Sequence, residues 1–179
     1  YELCWPWRGL RSKIKLLCKS YLITSSSSIS GNSRSINSTA NNKNTNKKYF
    51  KKIKLQKNLN SISGAFDTSQ YSYIFYVLPA GQFEHFIKNY LINQKINNFT
   101  ICSKGLSTNG QLISVVAKAY LKFKNLYILS GPSFAEEVIK GLPTALSVSS
   151  NSSPLPLGKL FKGTNIRIYY SKNYKTLEV

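Results

Sequence analysis

Methionine is missing from all 179 residues, and the chain opens on Tyr1, so it reads as a piece of a reading frame. Histidine occurs once and acidic side chains six times, against 25 Lys and Arg. The three cysteines, Cys4, Cys18 and Cys102, are odd in number and widely spaced. That excludes a disulfide framework and a zinc pattern. His85 has no cysteine or carboxylate at a ligand spacing, so no metal is expected. With so little cysteine, a reducing, cytoplasmic compartment is the default. No uncharged apolar run approaches the ~20 residues that a membrane-spanning helix requires. Residues 1–23 also lack the continuous apolar core, about 7–15 residues long, of a secretory signal.

What is present suits one domain. A chain of this length can bury roughly 70% of its unfolded surface. At 42% hydrophobic and 17% charged residues it is too apolar to be wholly disordered. The formal charge is +19 and unevenly spread: residues 1–66 hold 13 basic and 1 acidic side chain, residues 67–179 hold 12 and 5. Such asymmetry raises binding to nucleic acid or anionic surfaces. Against it, lysine travels here with Asn, Ile, Tyr and Phe, all favoured by AT-rich codons. No aromatic platform of a single-strand binder recurs along strands. Nucleic acid is therefore the weaker reading.

The two halves differ in character. Residues 24–48 (TSSSSISGNSRSINSTANNKNTNKK) contain only Ile29, Ile36 and Ala40 as apolar residues. They cannot offset their ordering entropy alone. Residues 1–48 are thus read as a degraded or disordered segment, and 49–179 as an α/β domain. In that domain Tyr73–Leu78 is a short apolar strand stopped by Pro79 and Gly81. Phe83, Phe86, Ile87, Tyr90 and Leu91 fall at helical spacing. Phe99–Cys102 reads as a strand, and Leu112, Val115, Val116, Ala119 and Tyr120 mark a second amphipathic helix. A strand over Leu126–Leu129, a helix over Phe134–Lys140 and a strand over Thr144–Val148 follow, then a helix near Leu157–Phe161 and a strand over Ile166–Tyr170. Alternating strands and helices predict a Rossmann-like, mostly parallel sheet with helices on both faces. Ligands of such sheets sit beyond the carboxyl ends of the strands. That singles out Pro79–Gly81, Ser103–Gly105 and Ser130–Ala135.

Ser130-Gly131-Pro132-Ser133-Phe134-Ala135-Glu136 is the most informative segment. Ser133 and Glu136 have the spacing of a capping box, placing a helix start at Ser133. Gly131 lets a ligand approach the backbone, and amides at a helix start suit an anion such as phosphate. An ordinary capped helix explains the same pattern. Lys104, at a strand end before Gly105, can pair with a phosphate or polarise a carbonyl, or can be a solvated turn lysine.

Together these residues resemble the bacterial type of NAD(P)-dependent glycerol-3-phosphate dehydrogenase. The resembling segments are Leu129–Ala135 followed by Gly141-Leu142-Pro143-Thr144-Ala145, Ser103-Lys104-Gly105-Leu106, and Val77-Leu78-Pro79-Ala80. Lys48-Tyr49-Phe50 through Leu55-Gln56-Lys57-Asn58-Leu59, Ile166–Ser171 and Leu177-Glu178-Val179 resemble further parts of it. The resemblance covers about Arg34 to Val179, in one order. It implies hydride transfer between NAD or NADP and the C2 carbon of dihydroxyacetone phosphate or sn-glycerol 3-phosphate, in phospholipid biosynthesis. It assigns Lys104 to cofactor and substrate, Gly131 and Ser133 to substrate, Ala135 to cofactor, and Arg34 to the 2′-phosphate of NADP.

Two departures accompany the match. No two glycines are separated by one residue, so the G-x-G-x-x-G fingerprint is absent. The family's general acid/base lysine would lie beyond Val179, in a helical domain; losing such a group costs about 10²–10⁴-fold in rate. Cys4-Trp5-Pro6-Trp7 suggests a cause for the first. Its codons, TGY-TGG-CCN-TGG, read one nucleotide on, give Gly-x-Gly, and Tyr1–Glu2 likewise can yield a start codon. Residues 1 to about 32 would then be the fingerprint read out of frame. The expectation is an enzyme by ancestry with little turnover of its own. A non-catalytic remnant of a decaying gene and a basic binding module are the alternatives.

Overall fold

The computed structural model describes residues 14–18, 21–25, 45–46, 50–54, 59–62, 66–134, 137, 138 and 140–179, with side chains from residue 66 onward. Ten strands are described: β1 Ile14–Cys18, β2 Tyr21–Ser25, β3 Thr45–Asn46, β4 Phe50–Lys54, β5 Leu59–Ile62, β6 Tyr73–Tyr76, β7 Lys95–Ile101, β8 Lys122–Ser130, β9 Thr144–Ser150 and β10 Ile166–Tyr170. Eight of them form one sheet in the order β10-β9-β8-β7-β6-β1-β2-β5, while β3 and β4 pair separately. The centre, β1-β6-β7-β8, is parallel throughout.

Apolar spacing accounts for the helices. Helix α1 (Phe83–Tyr90) buries Phe83, Phe86 and Ile87 and turns His85, Lys88 and Asn89 outward. Each buried side chain of that size contributes about 1.5–3 kcal/mol. Helix α2 (Ile113–Tyr120) buries Ile113, Val116 and Ala117 in the same way. Both lie on one face of the sheet, packed with Tyr76, Phe99, Ile101, Leu126 and Ile128. The Tyr76 and Phe83 rings meet edge to face at 4.7 Å. Short helix α3 (Leu155–Gly158) runs into a 3-10 turn at Lys159–Phe161. Leu157 and Phe161 cover the other face over Phe75, Val77, Tyr127, Leu129, Leu146 and Val148. Helix α4 (Lys175–Glu178) returns the chain to the first face, where Tyr174 and Leu177 pack. A sheet covered on both faces explains why its middle strands are continuous apolar runs.

One expectation needs refinement. The sheet is mixed beyond β8, because β9 runs antiparallel to β8 and carries β10 with it. Between β8 and β9 the described residues Glu137 and Val138 are helical, and β9 returns beside β8 instead of crossing the sheet. Phe134 C=O accepts from the amides of Glu137 and Val138, and Gly141, at φ 78°, closes the turn with Gly141 N–H to Val138 and Leu142 N–H to Glu137. That pairing is a Schellman stop, which reverses the chain at once. Among the described residues the helix expected over Phe134–Lys140 is seen at Glu137 and Val138; Glu136, the partner in the expected capping box, lies outside them.

The first unit differs from a strand-helix pair. β1 pairs antiparallel with β2, Cys18 opposite Tyr21, so only two residues connect them and no helix intervenes. Most of the polar tract 24–48 lies outside the described residues. No described helix is long and apolar enough to cross a membrane.

Candidate functional site at the carboxyl edge of the sheet

Leu17, Tyr76, Ile101 and Ile128 form one rung across β1, β6, β7 and β8. Three residues further along, the chain reaches Pro79 after β6, Lys104 after β7 and Gly131 after β8. Parallel neighbours are about 4.8 Å apart, so these turns emerge side by side at the carboxyl edge with Lys104 in the middle. The structure therefore brings together three of the segments that the sequence singles out.

Local bonds hold each turn. The Tyr76 hydroxyl donates to the Pro79 carbonyl at 2.9 Å, and the Gln82 amide donates to the same oxygen at 3.0 Å. The Cys102 amide donates to Tyr76 C=O at 2.9 Å, and the Ser103 hydroxyl donates to Leu78 C=O. The β6 and β7 turns are thus tied to each other. Gly105 takes a left-handed φ of 98° and donates its amide to the Glu178 carbonyl at 2.8 Å. Lys104 itself is exposed, and among the described residues no carboxylate pairs with it. An ammonium so placed can receive an anion arriving at the strand ends.

Gly131 has a cause that the sequence does not reveal. A Cβ built on it would lie 2.8 Å from the Ala145 carbonyl oxygen and 3.1 Å from the Leu146 Cα. Both are backbone atoms of β9, so the close approach on that side is made by the neighbouring strand. Beyond it, Pro132 is exposed, Ser133 is half-buried, and Phe134 stands 71% exposed. Ala135 and Arg34 lie outside the described residues.

Burial quenches the other reactive groups nearby. It pushes the Cys102 thiol and the Tyr76 phenol far above their ordinary ranges, so both stay protonated and neither serves as a nucleophile. His85 is exposed on α1 with Asn89 beside its ring. Among the described residues no three His, Cys, Asp or Glu side chains cluster as metal ligands would. The sequence reading gave Glu178 no role, yet its side chain is fully buried. Its carboxylate accepts the Ser114 amide at 2.7 Å and the Ser114 hydroxyl, capping α2. An acid in a chain with only six of them is the one signal that could have marked it.

The family model described as "NAD-dependent glycerol-3-phosphate dehydrogenase N-terminus" matches residues 24–155. The chain belongs to this family. Its match spans the turns after β6, β7 and β8 and leaves residues 1–23 and 156–179 outside. A glycerol-3-phosphate dehydrogenase [NAD(P)+] of Orientia tsutsugamushi is 34% identical over 140 residues, covering 75% of this chain and 42% of that relative. One from Helicobacter acinonychis is 45% identical over 58 residues, 32% of this chain and 19% of the relative. Among solved structures, glycerol-3-phosphate dehydrogenase from Coxiella burnetii superposes with a TM-score of 0.64 at 24% identity, over 76% of this chain and 43% of that one. The enzyme from Plasmodium falciparum gives 0.61 at 18% identity, over 77% and 41%. These two structures share the Rossmann-like fold of this chain. The chain spans about two-fifths of the length of the relatives matched over most of it. The family's cofactor is NAD or NADP, as its description and its relatives' names state.

The described residues fit one part of that cofactor's company and not another. Lys104 and the Gly131–Ser133 loop suit a phosphate. A dinucleotide's pyrophosphate requires a glycine-rich turn opening a helix after the first strand, and β1 instead doubles back into β2.

Proposed function

We propose that this chain is the nucleotide-domain part of an NAD(P)-dependent sn-glycerol-3-phosphate dehydrogenase whose carboxyl edge retains the seat for the phosphate end of dihydroxyacetone phosphate or sn-glycerol 3-phosphate. The observation that carries the reading is the level placement of Lys104 and Gly131 after adjacent parallel strands. Lys104 supplies the cation. Ser133, half-buried on the facing loop, supplies a hydroxyl and an amide. Against a polarised carbonyl oxygen the same ammonium would stabilise developing negative charge. Ala135 and Arg34 are the positions that the resemblance assigns to the cofactor, with Arg34 toward a 2′-phosphate. The cytoplasm is the compartment in which such an enzyme would serve phospholipid synthesis.

Turnover by the 179 residues alone is expected to be negligible, since the hairpin at β1 leaves the pyrophosphate without its cradle. Titration of the purified chain with dihydroxyacetone phosphate, read by amide chemical shifts, tests the seat. Shifts concentrated at residues 103–105 and 131–134 support it, and shifts spread over surface lysines refute it. NADPH oxidation dependent on dihydroxyacetone phosphate would overturn the expectation of negligible turnover. The +19 charge sustains a second reading, a basic surface for polyanions. Its affinity would fall steeply with salt and ignore substitution at Lys104.

A further inference from the structure

We propose that Glu178 is the positioning residue for Lys104, fixing the lysine's turn from the far end of the chain; the proposal rests on the reading of Lys104 as the anion-receiving cation. Glu178 works through two ends of one residue. Its carboxylate is anchored at the amino end of α2 by the Ser114 amide and hydroxyl. Its main-chain carbonyl accepts the Gly105 amide at 2.8 Å, one residue after Lys104. Glu178 lies 64 positions from Ser114 and further still from Gly105, so this triangle closes the loop from β7 to α2 against the end of α4. α2 has no cap of its own: Leu112, preceding it, offers no side-chain acceptor. The carboxylate supplies what the sequence leaves out locally, and does so where the helix dipole favours an anion.

The arrangement also limits where Lys104 can go. Gly105, at φ 98°, lies 3.9 Å from the Ala80 side chain measured from a built Cβ, and Ser103 is bonded to Leu78. The residue before Lys104 is thus held by β6 and the residue after it by Glu178. A second contact keeps α4 in place: the Lys118 ammonium of α2 donates to the Tyr174 hydroxyl at 2.8 Å and sits 4.5 Å from that ring's centre. Releasing the carboxylate frees the carbonyl with it, and the lysine loses its fixed height at the sheet edge.

The test is a double-mutant cycle on the full chain, with dihydroxyacetone phosphate as probe. Glu178→Ala is expected to weaken binding about tenfold when Lys104 is present and less than about twofold in the Lys104→Ala background. Equal losses in both backgrounds would show a merely structural role and overturn the proposal. Glu178→Gln should restore binding to within about twofold, because its amide oxygen still accepts the Ser114 N–H while the hydroxyl turns to accept from its NH₂. If no variant, nor the parent chain, binds the probe, the functional reading fails and hydrogen exchange decides the positioning claim alone. Glu178→Ala should then speed exchange of the Gly105 amide about tenfold or more and leave Leu126 and Ile128 in β8 unchanged. Unaltered Gly105 exchange would overturn it. Should Glu178→Ala not fold, Ser114→Ala, which removes one bond to the carboxylate, must still accelerate Gly105, and failure to do so counts against the proposal equally.

Discussion

β1 and β7 lie in the same parallel centre of the sheet, on the same rung, and end at the same edge, yet the chain leaves them differently. After β7 the chain continues outward through Lys104 and Gly105 and is caught by β6 on one side and Glu178 on the other. After β1 it reverses within two residues and pairs with β2. A strand's carboxyl end sets where the chain emerges, but the segment following it decides whether amides and cations point outward or are consumed in a hairpin. The two strands share register and direction, and the segments that follow them set them apart.

Lys104→Ala breaks the comparison most directly. It should reduce dihydroxyacetone phosphate affinity by about one to two orders of magnitude, because a charge-assisted contact to phosphate is lost. Calorimetric or chemical-shift titration measures it, with thermal stability unchanged since the side chain is exposed. If the loss is no greater than for Lys88→Ala on the outer face of α1, the edge is not the site.

Much of this edge was legible in the residues. The apolar runs at Tyr73–Leu78 and Leu126–Leu129, and the helical spacing of Phe83, Phe86 and Ile87, mark elements that the structure bears out as β6, β8 and α1. The starts of β7 and β8 were not, because polar side chains hide them. Asn98 inside β7 donates to the Ser72 carbonyl and Asn125 inside β8 donates to Asn98, so a reading by hydrophobicity begins both strands too late. Strand direction was invisible as well: alternation along Thr144–Ser150 is the same whichever way it runs, and only the stop at Gly141 turns β9 antiparallel. The strands β1 and β2 were overlooked because residues 1 to about 32 were expected to be out of frame. Glu178 escaped because its role joins residues 64 positions apart.

Glycine substitutions sharpen the contrast between turns at the same edge. Gly131→Ala forces a Cβ against the backbone of β9, which cannot rotate away as a side chain would. It should cost about 1–3 kcal/mol, read as a fall in the denaturant midpoint with the slope unchanged. Gly81, in the turn after β6, has nothing within 4 Å of a built Cβ and no positive φ. Gly81→Ala should be neutral or stabilise by about 0.4–1 kcal/mol through the unfolded chain. Equal losses at both would mean that β9 does not close on the loop as described.

The smallest effect concerns protons. Burial raises the Tyr76 phenol and the Cys102 thiol in the folded chain, and Tyr71, Tyr73 and Tyr127 shift the same way. Unfolding returns each to its ordinary range, so above about pH 9 the unfolded chain releases protons that the folded chain keeps. The folded state then binds more protons, and stability must fall as pH rises. Below that range both states hold the protons and the contribution is constant. Tyr76→Phe removes the hydroxyl bonded to Pro79 and should cost about 1 kcal/mol at pH 7. The same variant should lose less stability than the parent between pH 8 and about 11, because one phenol no longer has to ionise. Denaturant midpoints across that range measure both slopes, and parallel slopes would show that Tyr76 is hydrated in the folded chain rather than sealed between Phe83 and Phe86.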